Sequence, residues 1–193
     1  IRFKYASIRR RKKFMFKGKK TILRAYEKAF STLACKYFND EEFRSFLSPS
    51  ALLPISQTEE DGIIDGFMNP KNESNSYTFA ITTLQGKYLG GCSYFNFNHE
   101  AGTVWIGIAI GDKKYWGKGY GTDALNTLLL LLFNEHNTRK VLLNVFDFNE
   151  RGIASYKKLG FKEEGRLKQQ QYRKGKYHDD VIMALFKKDY LKK

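Results

Sequence analysis

The chain has few of the residues that form covalent or metal cross-links. Its 193 residues include 2 cysteines, 3 histidines and 3 prolines. Cys35 and Cys92 have neither a C-x-x-C spacing nor a histidine at ligand spacing, so we expect no disulfide framework and no bound metal. Reduced thiols are typical of the cytoplasm, and we expect a cytoplasmic protein.

Long apolar runs are also missing. The longest, Leu128 to Phe133, has six residues, far fewer than the ~20 that cross a bilayer. No apolar segment follows the basic N-terminal stretch, so a secretory signal is not predicted. The hydrophobic fraction of 42% is ordinary for a globular protein. The length favours one domain. Because no apolar run could cross a bilayer, we expect no membrane partner.

Acidic residues are scarce: 34 lysines and arginines against 20 aspartates and glutamates give a net charge of +14. Residues 1–14 contain seven basic residues and no acid, which is half of that excess. Met15 resembles a natural start, so we expect residues 1–14 to be an added extension and residues 15–193 to form the domain. A functional basic arm, in an RNA- or ribosome-binding protein, is the alternative.

Glycine is concentrated in one stretch, at Gly117, Gly119 and Gly121. The β-branched run before it predicts a strand, and the Leu-rich run 123–134 predicts a buried helix. A glycine turn between strand and helix exposes the first helical N–H groups, which bind phosphate. The G-x-G-x-G spacing matches neither a Walker loop nor a dinucleotide fingerprint. An ordinary glycine-rich connection is the alternative.

The remaining pattern predicts an α/β (α+β) fold: a mixed, mainly antiparallel sheet of about seven strands, flanked by four or five helices. In the helix predicted from Thr58 to Met68, Glu59, Glu60 and Asp61 lie in the first turn, where the helix dipole favours acids. The predicted strands are 20–26, 77–82, 87–97, 103–110, 140–146, 161–172 and 177–186, and the predicted helices are 27–38, 41–46, 58–68, 123–134 and 150–159.

Three motifs, in order, resemble the GNAT superfamily of N-acetyltransferases. Residues 116–122, WGKGYGT, are similar to its Q/R-x-x-G-x-G/A loop, and residues 149–161 are close to its N-x-x-A-x-x-x-Y-x-K-x-G-F segment. The third piece is EGRL at 164–167 with YRKGKYHD at 172–179. The resemblance points to the branch of ribosomal-protein N-terminal, spermidine and aminoglycoside 6′-acetyltransferases. Two positions depart from the family: Trp116 replaces Gln or Arg, and no glutamate stands near Trp105, where many members carry a general base.

The resemblance implies a single GNAT-like domain that uses acetyl-CoA and no metal, with direct attack of an amine on the thioester. Tyr156 takes the role of general acid for the leaving thiolate. Asn149 caps its helix, binds the cofactor, or does both. Two strands should splay to admit the pantetheine arm. The implied cofactor-binding residues are Ile108, Ala109 and Ile110 on the strand, and Gly117, Lys118, Gly119, Tyr120, Gly121 and Thr122 in the loop.

The missing glutamate bears on the acceptor. An α-amine has a pKa of ~8 and is partly neutral near pH 7.5, whereas an alkyl amine at ~10.4 needs more help from a base. This favours an α-amine or a hydroxyl-perturbed amine over a polyamine or lysine amine. The expected acceptor is a protein N-terminus, ribosomal by resemblance, and a polyamine or aminoglycoside is the alternative. Asp112 and ordered water are spare candidates for the base. A CoA-binding regulator without activity is a further alternative, and the protein could be a monomer or homodimer.

Acidic clusters in the first half, Glu41–Glu42 and Glu59–Asp65, are candidates for binding a polycationic acceptor. Solvated helix faces are the simpler interpretation of the same residues.

Overall fold

The computed structural model describes residues 16–47, 53–71 and 75–192. Within these residues, eight strands form one sheet. The strands are β1 (Phe16–Lys17), β2 (Thr21–Arg24), β3 (Tyr77–Thr83), β4 (Tyr88–Asn98), β5 (Thr103–Ile110), β6 (Lys140–Phe146), β7 (Lys162–Arg173) and β8 (Lys176–Phe186). The helices described are α1 (Ser31–Phe38), α2 (Glu41–Ser45), α3 (Gln57–Met68), α4 (Tyr120–Asn134), α5 (Glu150–Lys158) and α6 (Lys187–Tyr190).

The predicted fold class is confirmed. The sheet has the order β1-β2-β3-β4-β5-β6-β8-β7, and every neighbouring pair is antiparallel except β5 and β6. The strand beyond the seven expected is β1, which has two residues and is too short to show alternation. The leader 1–14 lies outside the described residues.

Helix α4 makes the crossover that a parallel strand pair requires. Its Leu-rich sequence packs on one face of the sheet, and Leu128, Leu129 and Leu132 are fully buried there. Hydrophobic burial of this kind is worth about 2 kcal/mol for each leucine. The helix is therefore held firmly, and its N-terminus is fixed beside the end of β5.

The opposite face is covered by α1 and α3. Ala34 and Ile64 pack with Tyr26, Phe30 and Tyr88 in a second core cluster, where the Phe30 and Tyr88 rings stack 4.8 Å apart. The short helix α2 follows α1 directly, and the side chain of its N-cap residue, Asp40, accepts a hydrogen bond from Phe43 N–H at 3.0 Å. This cap sets the direction in which α2 leaves the layer.

Two helices begin earlier than the sequence predicts. Helix α3 begins at Gln57, because Ser56 caps it by accepting a hydrogen bond from Glu59 N–H at 3.1 Å. Helix α4 begins at Tyr120, because Gly119 adopts a φ of 80° and turns the chain into the helix. Gly121 and Thr122 are therefore in the first helical turn.

One charged residue lies where the sequence did not predict it. Glu60 was expected with Glu59 and Asp61 in a solvated first turn of α3, but its side chain points into the core and is 1% exposed. One carboxylate oxygen, Oε2, has no hydrogen-bond partner among the described residues. No helix in the described part of the chain is long and apolar enough to cross a membrane.

Candidate active site

The sheet opens between β5 and β6. Their parallel pairing covers Thr103 to Trp105 and then stops, although β5 continues to Ile110 and β6 to Phe146. Beyond Trp105, β5 pairs only with β4. Because the two strands separate, backbone groups on this edge of β5 face a gap.

Strand alternation identifies which groups face the gap. Gly111 N–H donates to the Leu89 carbonyl at 2.8 Å, so the backbone groups of Ile110, one residue earlier, point away from β4. By the same alternation those of Ile108 point toward the gap, while Ala109 pairs with Gly91. The Trp116 indole N–H donates to the Ile110 carbonyl.

The glycine turn lies at the end of β5. Gly117 and Gly119 have φ angles of 70° and 80°, which L-residues rarely adopt. Gly119 is the N-cap of α4 and has no side chain to accept from the first N–H groups. Those donors and the positive end of the helix dipole therefore face outward, an arrangement that suits phosphate.

A cleft of about 1150 Å³ joins the gap and the turn. It brings together most of the residues predicted for the site: Ile108, Ala109, Ile110, Gly117, Gly119, Gly121, Thr122, Asn149 and Tyr156. Lys118 and Tyr120 are not among its lining residues. Tyr120 packs edge-on against Tyr115 at 4.8 Å instead. The backbone N–H groups of Lys118 and Tyr120 belong to the glycine turn and to the start of α4. The predicted role of these two residues therefore needs no side-chain contact.

Asn149 and Tyr156 are placed by helix α5. The Asn149 side chain caps this helix by accepting a hydrogen bond from Gly152 N–H at 3.0 Å, which is the capping role suggested by the sequence. Tyr156 lies two turns further along, packed against the main core with its ring 6.1 Å from that of Phe161. Burial raises the pKa of Tyr156 to about 12, so the phenol keeps its proton at neutral pH.

The cleft lining is cationic. Its basic side chains are Lys17, Lys19, Lys20, Arg151 and Lys158, and Asp123 is the one carboxylate among its described lining residues. Phenylalanine side chains complete the wall. They are Phe43 on α2, Phe46 directly after α2, Phe95 on β4 and Phe146 on β6. The sequence analysis missed these and the lysines, because they come from segments far from the glycine motif.

The one side chain that is a spare candidate for the general base lies elsewhere. Asp112 is outside the cleft lining and forms an ion pair with Lys87 at 2.7 Å. Hydrogen bonds from Lys87 and from Lys114 N–H lower the pKa of Asp112 against the opposing effect of its partial burial. His178 Nδ1–H donates a hydrogen bond to the Asp147 carboxylate at 2.9 Å, and the His178 ring packs on Phe148. In the described part of the chain, no three His, Cys, Asp or Glu side chains are grouped as metal ligands.

An open β5 edge, a glycine turn at a helix N-terminus and a cationic cleft together suit a phosphorylated ligand with an extended arm. The family model described as acetyltransferase (GNAT) domain matches residues 20–162. The chain belongs to the GNAT family of N-acetyltransferases.

Individual relatives agree with this assignment. The chain is 23% identical over 168 residues to N-acetyltransferase p20 of Bacillus licheniformis, covering 87% of this chain and 93% of that protein. The spermidine N-acetyltransferase of Vibrio cholerae, solved with CoA and spermine, matches the fold with a TM-score of 0.76 at 22% identity, over 89% of this chain and 98% of that one.

The ribosomal L7/L12 α-N-protein acetyltransferase RimL, solved with CoA, also matches at a TM-score of 0.76 with 20% identity, over 87% of this chain and 94% of that one. These structures have the same fold as this chain, and both are described with CoA.

Proposed function

We propose that the protein transfers an acetyl group from acetyl-CoA to the α-amine of a protein N-terminus. The observation that carries this proposal is the character of the cleft wall. Cations surround the glycine turn, and aromatic rings line the side formed by α2 and β6, where the described residues offer no free carboxylate. The wall therefore suits an anionic donor and a weakly charged acceptor.

The backbone fits the donor. We propose that N–H groups from Gly117 to Thr122 bind the pyrophosphate. The pantetheine amides would pair with the gap-facing backbone groups of Ile108 and with the N–H of Ile110, whose carbonyl already accepts from the Trp116 indole. Acetyl-CoA supplies an activated thioester, whose C–S bond breaks as the amine nitrogen bonds to the carbonyl carbon, and the amine proton balances the released thiol. Two CoA-bound relatives of the same fold support this donor.

Tyr156 is the residue we propose for the leaving group. With its pKa raised to about 12, complete proton transfer to a thiolate of pKa ~8.5 is uphill by roughly 5 kcal/mol. Tyr156 therefore acts best as a hydrogen-bond donor that stabilises the departing sulfur, while its own proton stays on the phenol. Asn149 holds the helix that carries it.

The acceptor amine has to arrive neutral without a nearby carboxylate. Asp123 is engaged by the β1–β2 turn, and Asp112 lies outside the cleft. An α-amine with a pKa of ~8 supplies enough neutral form by itself, whereas an alkyl amine of pKa ~10.4 is less than one per cent neutral at pH 7.5. The electrostatics therefore favour an N-terminus.

A polyamine is the second candidate, because the Vibrio cholerae relative is a spermidine N-acetyltransferase. Its charge would call for carboxylates near the cleft. The acids of α2 are already paired: Lys113 bridges Asp40 and Glu42, and Lys174 on the β7–β8 hairpin lies 3.5 Å from Glu41. These contacts weaken the case for a polyamine. An aminoglycoside, also polycationic, meets the same objection.

Thiol release from acetyl-CoA, measured over an amine panel, tests the proposal. The panel contains N-terminal peptides with apolar and acidic first residues, including ribosomal sequences, together with spermidine, spermine and aminoglycosides. We expect turnover with peptides and a loss of at least tenfold when the peptide α-amine is blocked. Faster turnover with polyamines would replace the proposed acceptor. CoA binding without turnover on any amine would favour a regulator.

We propose a cytoplasmic location as well. Cys35 and Cys92 are both free, and burial raises the pKa of Cys92 far above its ordinary value, which keeps the thiol protonated. Free thiols are the usual state in a reducing compartment. Localisation of a tagged full-length chain, followed with a cytoplasmic marker, tests this statement.

A further inference from the structure

The turn between β1 and β2 is fastened to the start of α4. The Asp123 carboxylate accepts hydrogen bonds from the backbone N–H groups of Lys19, Lys20 and Thr21, each at 2.9 Å, and from the Thr21 hydroxyl at 2.7 Å. The sequence separation is about a hundred residues, so these bonds exist only in the folded protein. They place Lys17, Lys19 and Lys20 on the wall of the cleft.

Lys20 lies against the phosphate-binding turn itself. Its Nζ donates to the Lys118 carbonyl at 2.7 Å and lies 5.5 Å from the centroid of the Tyr120 ring. Lys17 and Lys19 are exposed on the same short turn. Lys20 thus adds an ammonium group beside the N-terminus of α4, and Lys17 and Lys19 line the same cleft.

The acid in the first turn of α4, Asp123, opposes the binding of an anion there. A carboxylate at this position would by itself repel an anion bound at the helix N-terminus. Hydrogen bonds from the Thr21 hydroxyl and from the turn's N–H groups lower the pKa of Asp123 despite its partial burial, so it is charged at neutral pH. Three lysines outweigh this one negative charge and leave the site cationic.

The turn also requires glycine at its centre. A Cβ atom on Gly18 would collide with the Asp123 carboxylate and lie 2.9 Å from the Thr127 hydroxyl. Any other residue would therefore push the turn away from α4, although the lysines would remain. Gly18 thus offers a way to move the charges without removing them.

We propose that the turn Lys17–Lys20 binds the 3′-phosphate of CoA. This inference rests on the proposed use of acetyl-CoA. The backbone donors of the glycine turn suffice for the pyrophosphate, whereas the ribose 3′-phosphate is a separate, dianionic monoester that needs cations. The three lysines lie next to the pyrophosphate turn, outside the pantetheine gap, where a second phosphate group would be met. The turn therefore selects CoA over donors that lack this phosphate.

Calorimetric binding tests the inference without turnover. The ligands are CoA and 3′-dephospho-CoA, which differ only in this phosphate. The proteins are the full chain, the triple variant Lys17→Gln/Lys19→Gln/Lys20→Gln, and the control Lys162→Gln on β7, outside the cleft lining. We expect the full chain and the control to bind CoA at least about tenfold more tightly than dephospho-CoA. The triple variant should bind the two ligands within about twofold of each other.

Gly18→Ala provides a second variant with unchanged charge. We expect it to lose most of the preference for CoA while binding dephospho-CoA normally. Raising the salt concentration should weaken CoA binding to the full chain more than to the triple variant, because exposed charge pairs are screened.

The outcomes separate the two proposals. If the triple variant loses equal affinity for both ligands, or the full chain prefers neither, the lysines do not read the 3′-phosphate, and this inference is wrong although the donor assignment stands. If the full chain binds neither ligand, the proposed donor is wrong and the inference falls with it.

Discussion

The guanidinium of Arg151 lies over the indole ring of Trp116, with its carbon 3.8 Å from the ring centroid. Trp116 is the first residue of the glycine loop, and its indole N–H donates a hydrogen bond to the Ile110 carbonyl. Arg151 is in the first turn of α5. The contact therefore ties the end of β5, the phosphate turn and the helix of Tyr156 together.

The first prediction concerns this contact. A cation–π pair of this kind is worth about 1 kcal/mol. We expect Arg151→Met, which keeps an apolar stem, to lower the free energy of unfolding by about that amount. A double-mutant cycle with Trp116→Leu, followed by urea denaturation, measures the coupling. A coupling energy near zero would show that the two side chains do not stabilise each other.

The second prediction concerns Tyr156. We expect Tyr156→Phe to reduce kcat by about 10²-fold, because the hydrogen bond to the leaving sulfur is lost. The affinity for CoA should change less than twofold, since the ring and its packing remain. Single-turnover kinetics and calorimetry measure the two quantities. An unchanged kcat would remove Tyr156 from the proposed mechanism.

The third prediction is the pH dependence of activity. The pKa of Tyr156 is raised to about 12, so the phenol stays protonated, and no loss of activity from its ionisation is expected below pH 10. Activity should instead rise through pH ~8 as the α-amine loses its proton. A kcat/KM profile on an N-terminal peptide records this. A decrease in kcat/KM between pH 8 and 10 that is not accompanied by unfolding would contradict the role assigned to Tyr156.

The fourth prediction concerns stability and pH. Glu60 is surrounded by Tyr26 and Tyr88 in the core and by Glu59 and Asp61 on its own helix, and burial, followed by the two neighbouring acids, raises its pKa to about 7. The folded protein therefore holds this proton more tightly than the unfolded chain. Stability is fully present below the unfolded pKa near 4.5 and is lost as the pH rises toward 7.

Glu60→Gln tests this sign. At pH 8 the free energy of unfolding of the variant, measured by urea denaturation, should exceed that of the parent by about 2 kcal/mol or more. The two free energies should converge near pH 4.5. Glu59→Gln, on the exposed side of the same helix, is the matched control and should shift stability by less than about 0.5 kcal/mol. Equal pH dependence in Glu60→Gln and in the parent would mean that Glu60 is already ionised in the fold.

The fifth prediction concerns the cap of α5. Asn149→Ala should lower the free energy of unfolding by about 1 kcal/mol, because Gly152 N–H loses its acceptor. Asn149→Asp keeps an acceptor at the same place and should retain most of this stability. Chemical denaturation compares the two. If Asn149→Asp keeps stability but loses CoA affinity, the side chain also contacts the donor.

Local patterns determined most of the elements. The strands at 103–110 and 140–146 were predicted to the residue, because a β-branched run bounded by turns carries its own signal. The glycine turn and the α5 cap were equally visible, since both depend on residues close in the chain. The start of α4 was missed by three residues, because a positive φ at Gly119 is not readable from composition.

Tertiary structure decided the remainder. The burial of Glu60 could not be read from its sequence neighbours, since one helical face is set by the layer it packs on. Lys19 and Lys20 meet the glycine turn only because Asp123, about a hundred residues later, accepts hydrogen bonds from their backbone N–H groups. The aromatic wall likewise gathers residues from α2, β4 and β6. Local sequence specifies each element, but long-range hydrogen bonds and packing decide which side chains share the cleft.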